Sequence, residues 1–397
     1  MAKNRILNYI APALFASLLV SCSSDDLGPS IFPEVSDEPD PTSYTYKFDK
    51  WLNNNFRDVY NVDFKYLMED VEADMEYNLV PATYEKARDL ALLTKYLWYD
   101  SYEELTGQDF IKTYGPRILH LVGSPAYNPN TGTETLGLAE GGLKVTLFKV
   151  NDMDLTDINM MNEYYFRTMH HEFGHILHQT KSYPTDFNLL STGRYDEASW
   201  QSKQPGYVAS LGFVTPYASS QAREDFAETI ANYLTRTPDQ MDLILWMAER
   251  GWTTGSDKAD GELEDDDAEY YCYYFYDDPT NPESIHYFLT SLEKGYGEYR
   301  MGLVGLNNEY LTTVEEVEKY LADLAETRDI YPVEDKDNIN GRDMILQKQS
   351  IARNWFTDQW KISFDDLRTI VQRRQQDFDI EALRQEVESI QVPSVAN

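Results

Sequence analysis

His170-His171-Glu172-Phe173-Gly174-His175 carries the pattern H-E-x-x-H. Four residues make slightly more than one helical turn, so on a helix His171 and His175 project from the same face. Two imidazoles so placed can each bring a ring nitrogen to about 2.0–2.1 Å from one zinc ion. Glu172 is rotated off that line and lies beside a metal held there, where it can hold a water. A short motif of this kind arises by chance on the order of once in a hundred chains of this length. Histidine density sharpens the reading: four of the six histidines fall between His170 and His178. A surface helix has no structural need for that. His178 shares a face with His171 and reads as polar helix surface, while His120 and His286 read as structural.

Ile158, Met161, Tyr165, Met169, Phe173 and Ile176 recur at helical spacing and predict a helix over about 157–180, with Thr156 or Asp157 as N-cap. A catalytic zinc normally takes three protein ligands plus water, so two histidines leave the set incomplete. A second helix, predicted over about 222–235 and stopped before Pro238, opens with Ala222-Arg223-Glu224-Asp225-Phe226-Ala227-Glu228. Glu224 and Glu228 stand at i and i+4 and share a face. One can bind metal while the other accepts the second ring N–H of a ligating histidine and fixes its tautomer. Alone they would be an ordinary acidic helix start, favoured by the macrodipole. Opposite H-E-x-x-H they complete a ligand set.

Taken together, H-E-F-G-H, Tyr217 and the E-x-x-A-E run from Glu224 to Glu228 resemble the active-site pattern of lethal-factor-type zinc peptidases, a glutamate-ligand branch of the zincins. That resemblance implies His171, His175 and Glu224 as zinc ligands, with one Zn2+ per chain. It implies Glu172 as general base, Tyr217 as the hydroxyl that assists the oxyanion, and Glu228 as the carboxylate behind a ligand. More broadly the chain resembles zinc-binding metallopeptidase lipoproteins associated with outer-membrane substrate import. Leu136-Gly137-Leu138-Ala139-Glu140-Gly141-Gly142, the histidine segment through Gln179, and Arg223 to Glu228 carry that likeness, with Cys22. It is strongest over 46–246 and thinner over 341–373; residues 252–337 depart from the family's shorter pattern.

Around this centre, helices are predicted from about Tyr46, over 84–99, over 314–327, and over 344–376 with a break near Lys361. Strands are predicted over 117–122 and over 143–150, the latter alternating with period two behind Gly141-Gly142. The second strand is a candidate to pair with an extended substrate backbone along the cleft edge. The expected fold is α+β and mostly helical, a zincin-type metallopeptidase domain over 45–397 with a small sheet beside the active-site helix. Residues 252–337, with an acidic run at Glu262 to Asp267 and a tyrosine cluster, read as an insertion.

Lys3 and Arg5 precede an apolar stretch from Ile6 to Val20, shorter than the roughly 20 residues a membrane-spanning helix needs. This predicts a signal peptide over 1–21. Leu19-Val20-Ser21-Cys22 resembles the bacterial lipoprotein box, which implies lipidation of Cys22. Residues 22–44, with Pro29, Pro33, Pro39 and Pro41, read as a flexible tether. In lipoproteins of starch-utilisation-type import systems, an acidic run such as Asp25-Asp26 resembles a signal for surface display. The expected location is therefore the outer membrane, lipid-anchored and exposed at the cell surface. Once Cys22 is acylated, Cys272 has no partner and reads as a buried inert thiol. A net charge of −34 excludes nucleic acid as a partner.

The expected function is zinc-dependent hydrolysis of peptide bonds, on a peptide or protein substrate, by a zinc-activated water with Glu172 as base. Two alternatives stay open: the same chemistry on a non-peptide amide or ester, and a non-catalytic binding accessory of an outer-membrane nutrient importer. Membrane contact is expected through the lipid anchor only.

Overall fold

The computed structural model describes residues 38–68, 79–127, 134–135, 137–140, 144–255, 269–293, 300–335 and 339–394. The predicted signal peptide, Cys22, the tether as far as residue 37, Gly141-Gly142 and the acidic run Glu262 to Asp267 lie outside the described residues. Among the described residues helix predominates and the strands gather in small sheets, an α+β architecture.

Asp157 caps the expected long helix, its carboxylate accepting from the N–H groups of Asn159 and Met160. The helix is not continuous. Regular turns at Ile158–Met161 give way to a π-helical stretch, Asn162–Phe166, before the histidine helix proper, Arg167–Thr180. Tyr164, Tyr165 and Phe166, three consecutive aromatic residues, are all buried along the π-helical stretch.

The glutamate helix runs Ala222–Thr235, the predicted bounds, and is buried over most of its length. It packs on the histidine helix and on the C-terminal helices Gly341–Trp355 and Phe364–Asp377. Small residues meet where the first two helices cross: a Cβ placed on Gly174 would lie 3.6 Å from the Ala227 Cα. The break predicted near Lys361 is real, since Lys361 takes a left-handed conformation (φ 60°) after the π turn Phe356–Trp360.

Three strands, Asp63–Lys65, Ile118–Leu121 and Lys144–Leu147, pair in parallel, and Gly137–Glu140 adds antiparallel to the last. This corrects one expectation. Lys144–Leu147 is hydrogen-bonded on both sides, so it offers no edge to a substrate backbone; the outer strand there is Gly137–Glu140.

A larger, antiparallel sheet is built mainly from Tyr270–Tyr276, Ile285–Glu293, Met301–Val304 and Ile330–Pro332. Its buried Cys272, Phe275, Phe288, Leu289, Met301 and Leu303 share a core with Phe213, Met241, Ile244 and Met247. The predicted helix at 314–327 forms at Val314–Ala325 and covers this core through Val317. Cys272 is fully buried, and burial pushes its thiol well up, as an inert packing cysteine requires. A separate aromatic core, with Trp98, Tyr102, Phe173, Phe226, Trp355 and Phe356, lies under the histidine helix.

Candidate metal centre

The histidine and glutamate helices cross with their polar stripes facing. His171 Nε2 and His175 Nε2 lie 3.0 Å apart. Glu224 Oε2 lies 3.1 Å from the first and 2.9 Å from the second. Three atoms from two helices thus form a nearly equilateral triangle, the three donors that a metal ion needs. Tetrahedral zinc with bonds of about 2.0–2.1 Å separates its ligand atoms by roughly 3.3–3.4 Å, a few tenths wider than this triangle.

Proton bookkeeping at the triangle supports the same fit. His171 Nδ1 lies 2.7 Å from Glu228 Oε1. A carboxylate only accepts, so Nδ1 carries a ring proton, and Nε2 is the nitrogen of this ring left to face a metal ion. His175 Nδ1 lies 2.8 Å from His178 Nε2. Burial, aided by the His175 charge, brings His178 down to about 4, so it is neutral and its Nε2 can accept from His175. Two imidazole nitrogens and a carboxylate oxygen at such distances need a proton or a metal ion between them.

The surrounding electrostatics favour that cation. Burial alone would depress His171, but hydrogen bonds to Glu224 and Glu228 outweigh it and carry the imidazole up to about 10. Burial would raise both glutamates. Instead the two histidines hold Glu224 far below the usual carboxylate range, and His171, with Arg167 and Thr215, brings Glu228 down to about 2. A pocket that pulls on a proton so strongly is one that stabilises positive charge.

Glu228 is fixed from behind. Thr215 Oγ1 donates to its Oε2 at 2.6 Å, and Asn232 Nδ2 donates to the same atom at 3.1 Å. Glu172, half buried, behaves oppositely: burial raises its carboxyl, and the charges of His171 and His175 offset this only in part. Tyr217 is 37 % exposed, at the mouth of the site, with its ring 5.7 Å from that of His171 and 4.8 Å from that of Trp200. Burial and the charges of Glu224 and Glu228 push its hydroxyl up, so it stays a neutral donor.

The six site residues expected from the sequence therefore gather here: His171, His175, Glu224, Glu228, Glu172 and Tyr217. His178 belongs with them and not with the helix surface, because a residue at i+3 from His175 can reach its outward ring nitrogen. Thr215 and Asn232 escaped the sequence reading. Asn232 stands at i+4 from Glu228 on the same helix face, a spacing that could have drawn attention to it; Thr215 carries no such signal. His170, although next to His171, points the other way. It is buried against Tyr102, whose hydroxyl lies 2.9 Å from Nδ1, and burial depresses it to about 3. His286 pairs with Asp277 away from the site.

No curated protein matches the chain. Among solved structures, one from Bacteroides caccae described as a "putative zinc-binding metallo-peptidase" is 32% identical, with a TM-score of 0.55; the match covers 88% of this chain and 98% of that one. A family profile described as "Putative zinc-binding metallo-peptidase" matches residues 41–365, a range that holds both helices of the triangle and runs across 252–337. By that match the chain belongs to the family of "putative zinc-binding metallo-peptidases".

Proposed function

We propose that the protein is a zinc metallopeptidase that holds one Zn2+ on His171, His175 and Glu224 and hydrolyses peptide bonds. The observation that carries this reading is the convergence of two imidazole nitrogens and a carboxylate oxygen within 3.1 Å of one another, with the Glu172 carboxyl and the Tyr217 hydroxyl beside them. Bound there, zinc supplies a Lewis acid and lowers the pKa of a water toward neutrality. The chain's own residues do the rest. Glu172 takes a proton from the attacking water and delivers it to the leaving nitrogen, and its raised carboxyl suits both halves of that transfer. Tyr217 donates a hydrogen bond to the substrate carbonyl oxygen as charge develops on it. Glu228 keeps the His171 ring turned, so its Nε2 faces the other two donor atoms.

Membrane attachment is part of the same proposal. Cys22 in the sequence Leu19-Val20-Ser21-Cys22 is the lipid site, and the tether holds the enzyme at the outer face of the outer membrane, near an importer that takes up its products. Among the described residues no helix is long and apolar enough to cross a membrane. Metabolic labelling with an alkyne fatty acid should mark the wild type and not Cys22→Ser; equal labelling would remove the anchor from the proposal.

Two measurements test the chemistry. Zinc per chain should be about one in the wild type and fall close to zero in His175→Ala, since two remaining ligands do not hold the ion. Zinc retained by that variant would place the metal elsewhere. Against a peptide library, Glu172→Ala should keep its zinc and lose about 10²- to 10⁴-fold in kcat. Were wild type and variant equally inert on peptides while both bound zinc, a non-peptide substrate or a binding accessory would replace the peptidase reading.

A further inference from the structure

The glutamate helix bears, at i+4 and i+8 from Glu228, Asn232 and the helix-capping Arg236. Arg236 Nε donates to Asn232 Oδ1 at 3.0 Å, and Asn232 Nδ2 donates to Glu228 Oε2 at 3.1 Å. The direction of this chain is fixed. A guanidinium only donates, so the Asn232 oxygen must face Arg236; its amide nitrogen then faces Glu228, which only accepts. With Oε2 occupied, Oε1 is left to take the His171 ring proton.

The far end of the chain is Glu293, the last residue of strand Ile285–Glu293, in the segment the sequence set apart at 252–337. Glu293 Oε1 accepts from Arg236 Nη2 at 2.7 Å and lies 3.7 Å from Arg167 Nη1. Arg167 opens the histidine helix, one turn before His171, and pairs with Glu163 behind it. One carboxylate from the large sheet therefore ties the first residue of one metal-bearing helix to the cap of the other. The connection is dry at its centre, where Asn232 is fully buried and Glu228 and Arg236 nearly so.

We propose that Asn232, Arg236 and Glu293 are positioning residues for the metal centre, and that the large sheet sets the orientation of the His171 imidazole through them. The proposal rests on His171, His175 and Glu224 being the zinc site. Outer partners of metal-ligating histidines typically govern metal affinity by about 10- to 100-fold.

Zinc affinity measured by competition with a chromophoric chelator, alongside the Tm of the metal-free proteins, is the test. Asn232→Ala should weaken zinc binding about tenfold. Glu293→Gln, which keeps size and shape, should weaken it about threefold. The double variant should bind no more weakly than Asn232→Ala alone, because a broken chain transmits nothing further. A merely structural role would lower the metal-free Tm and leave the zinc Kd where it was. Unchanged Kd in both single variants, or simple additivity in the double, overturns the proposal. If Asn232→Ala fails to fold, Glu293→Gln alone decides, with the visible spectrum of its cobalt-substituted form expected to shift from wild type and an unshifted spectrum at wild-type affinity counting against it. Wild type that binds no zinc, or His175→Ala that still does, would sink the zinc site itself and the proposal with it.

Discussion

Residues at this centre differ less in kind than in what stands behind them. Glu172, Glu224 and Glu228 are the same amino acid in three electrostatic settings: one raised by burial, two lowered by the imidazoles they face. In the proposed reaction these opposite shifts would separate a base, Glu172, from a ligand, Glu224. Tyr217 is the residue whose role is easiest to isolate, because it lies at the mouth of the site and is not one of the three converging donors. Tyr217→Phe should keep zinc stoichiometry and KM near wild type while kcat falls about 10²- to 10³-fold, as expected for loss of a donor to a developing oxyanion. Steady-state kinetics with a cleaved peptide would check it. A rise in KM at unchanged kcat would instead make Tyr217 a binding residue.

Helices bring these side chains together, and here the sequence was informative for a physical reason. A period of 3.6 places His171 over His175 and Glu224 over Glu228, so both faces were legible from spacing alone. Their meeting was not. It depends on how closely two backbones approach, and on Gly174 lying against Ala227 at the crossing. The π turn at Asn162–Phe166 was illegible because hydrophobic spacing predicts a helix and not the local widening of one of its turns. The pairing of Lys144–Leu147 on both edges likewise followed from a neighbouring strand that no local pattern announced. The crossing itself is testable. Gly174→Val should force the helices apart, costing about 1–3 kcal/mol in denaturant unfolding. It should also weaken zinc binding, because Glu224 and Glu228 recede from the histidines together. A variant that lost stability with an unchanged zinc Kd would show that the donors adjust independently of the crossing.

At the scale of the whole molecule, two hydrophobic cores meet along one helix. Gly341–Trp355 contributes Ile345 to the core of the large sheet, and Ala352 and Trp355 to the aromatic core. Lys348 lies between them in sequence. Its ammonium, 1 % exposed, reaches Asp225 Oδ2 at 2.6 Å and the Gly212 carbonyl at 2.7 Å, over the ring of Phe213. Asp225 stands next to Glu224 on the glutamate helix and also accepts from Tyr195. Burial pushes Asp225 up to about 6 and Lys348 down, yet each favours the charged form of the other, and the short contact holds them as an ion pair. Such a pair adds little stability against a well-packed apolar replacement, but breaking it strands a charge. Lys348→Met should therefore cost about 3–5 kcal/mol, read as a lower denaturant midpoint, and adding Asp225→Asn should recover part of that loss by removing the stranded carboxylate. Because the pair joins helix Gly341–Trp355 to the turn that bears Glu224, the single variant should also release zinc at lower chelator concentration than wild type. Loss of stability without that release would mean that the joint between the cores holds the fold and leaves the metal centre to its own two helices.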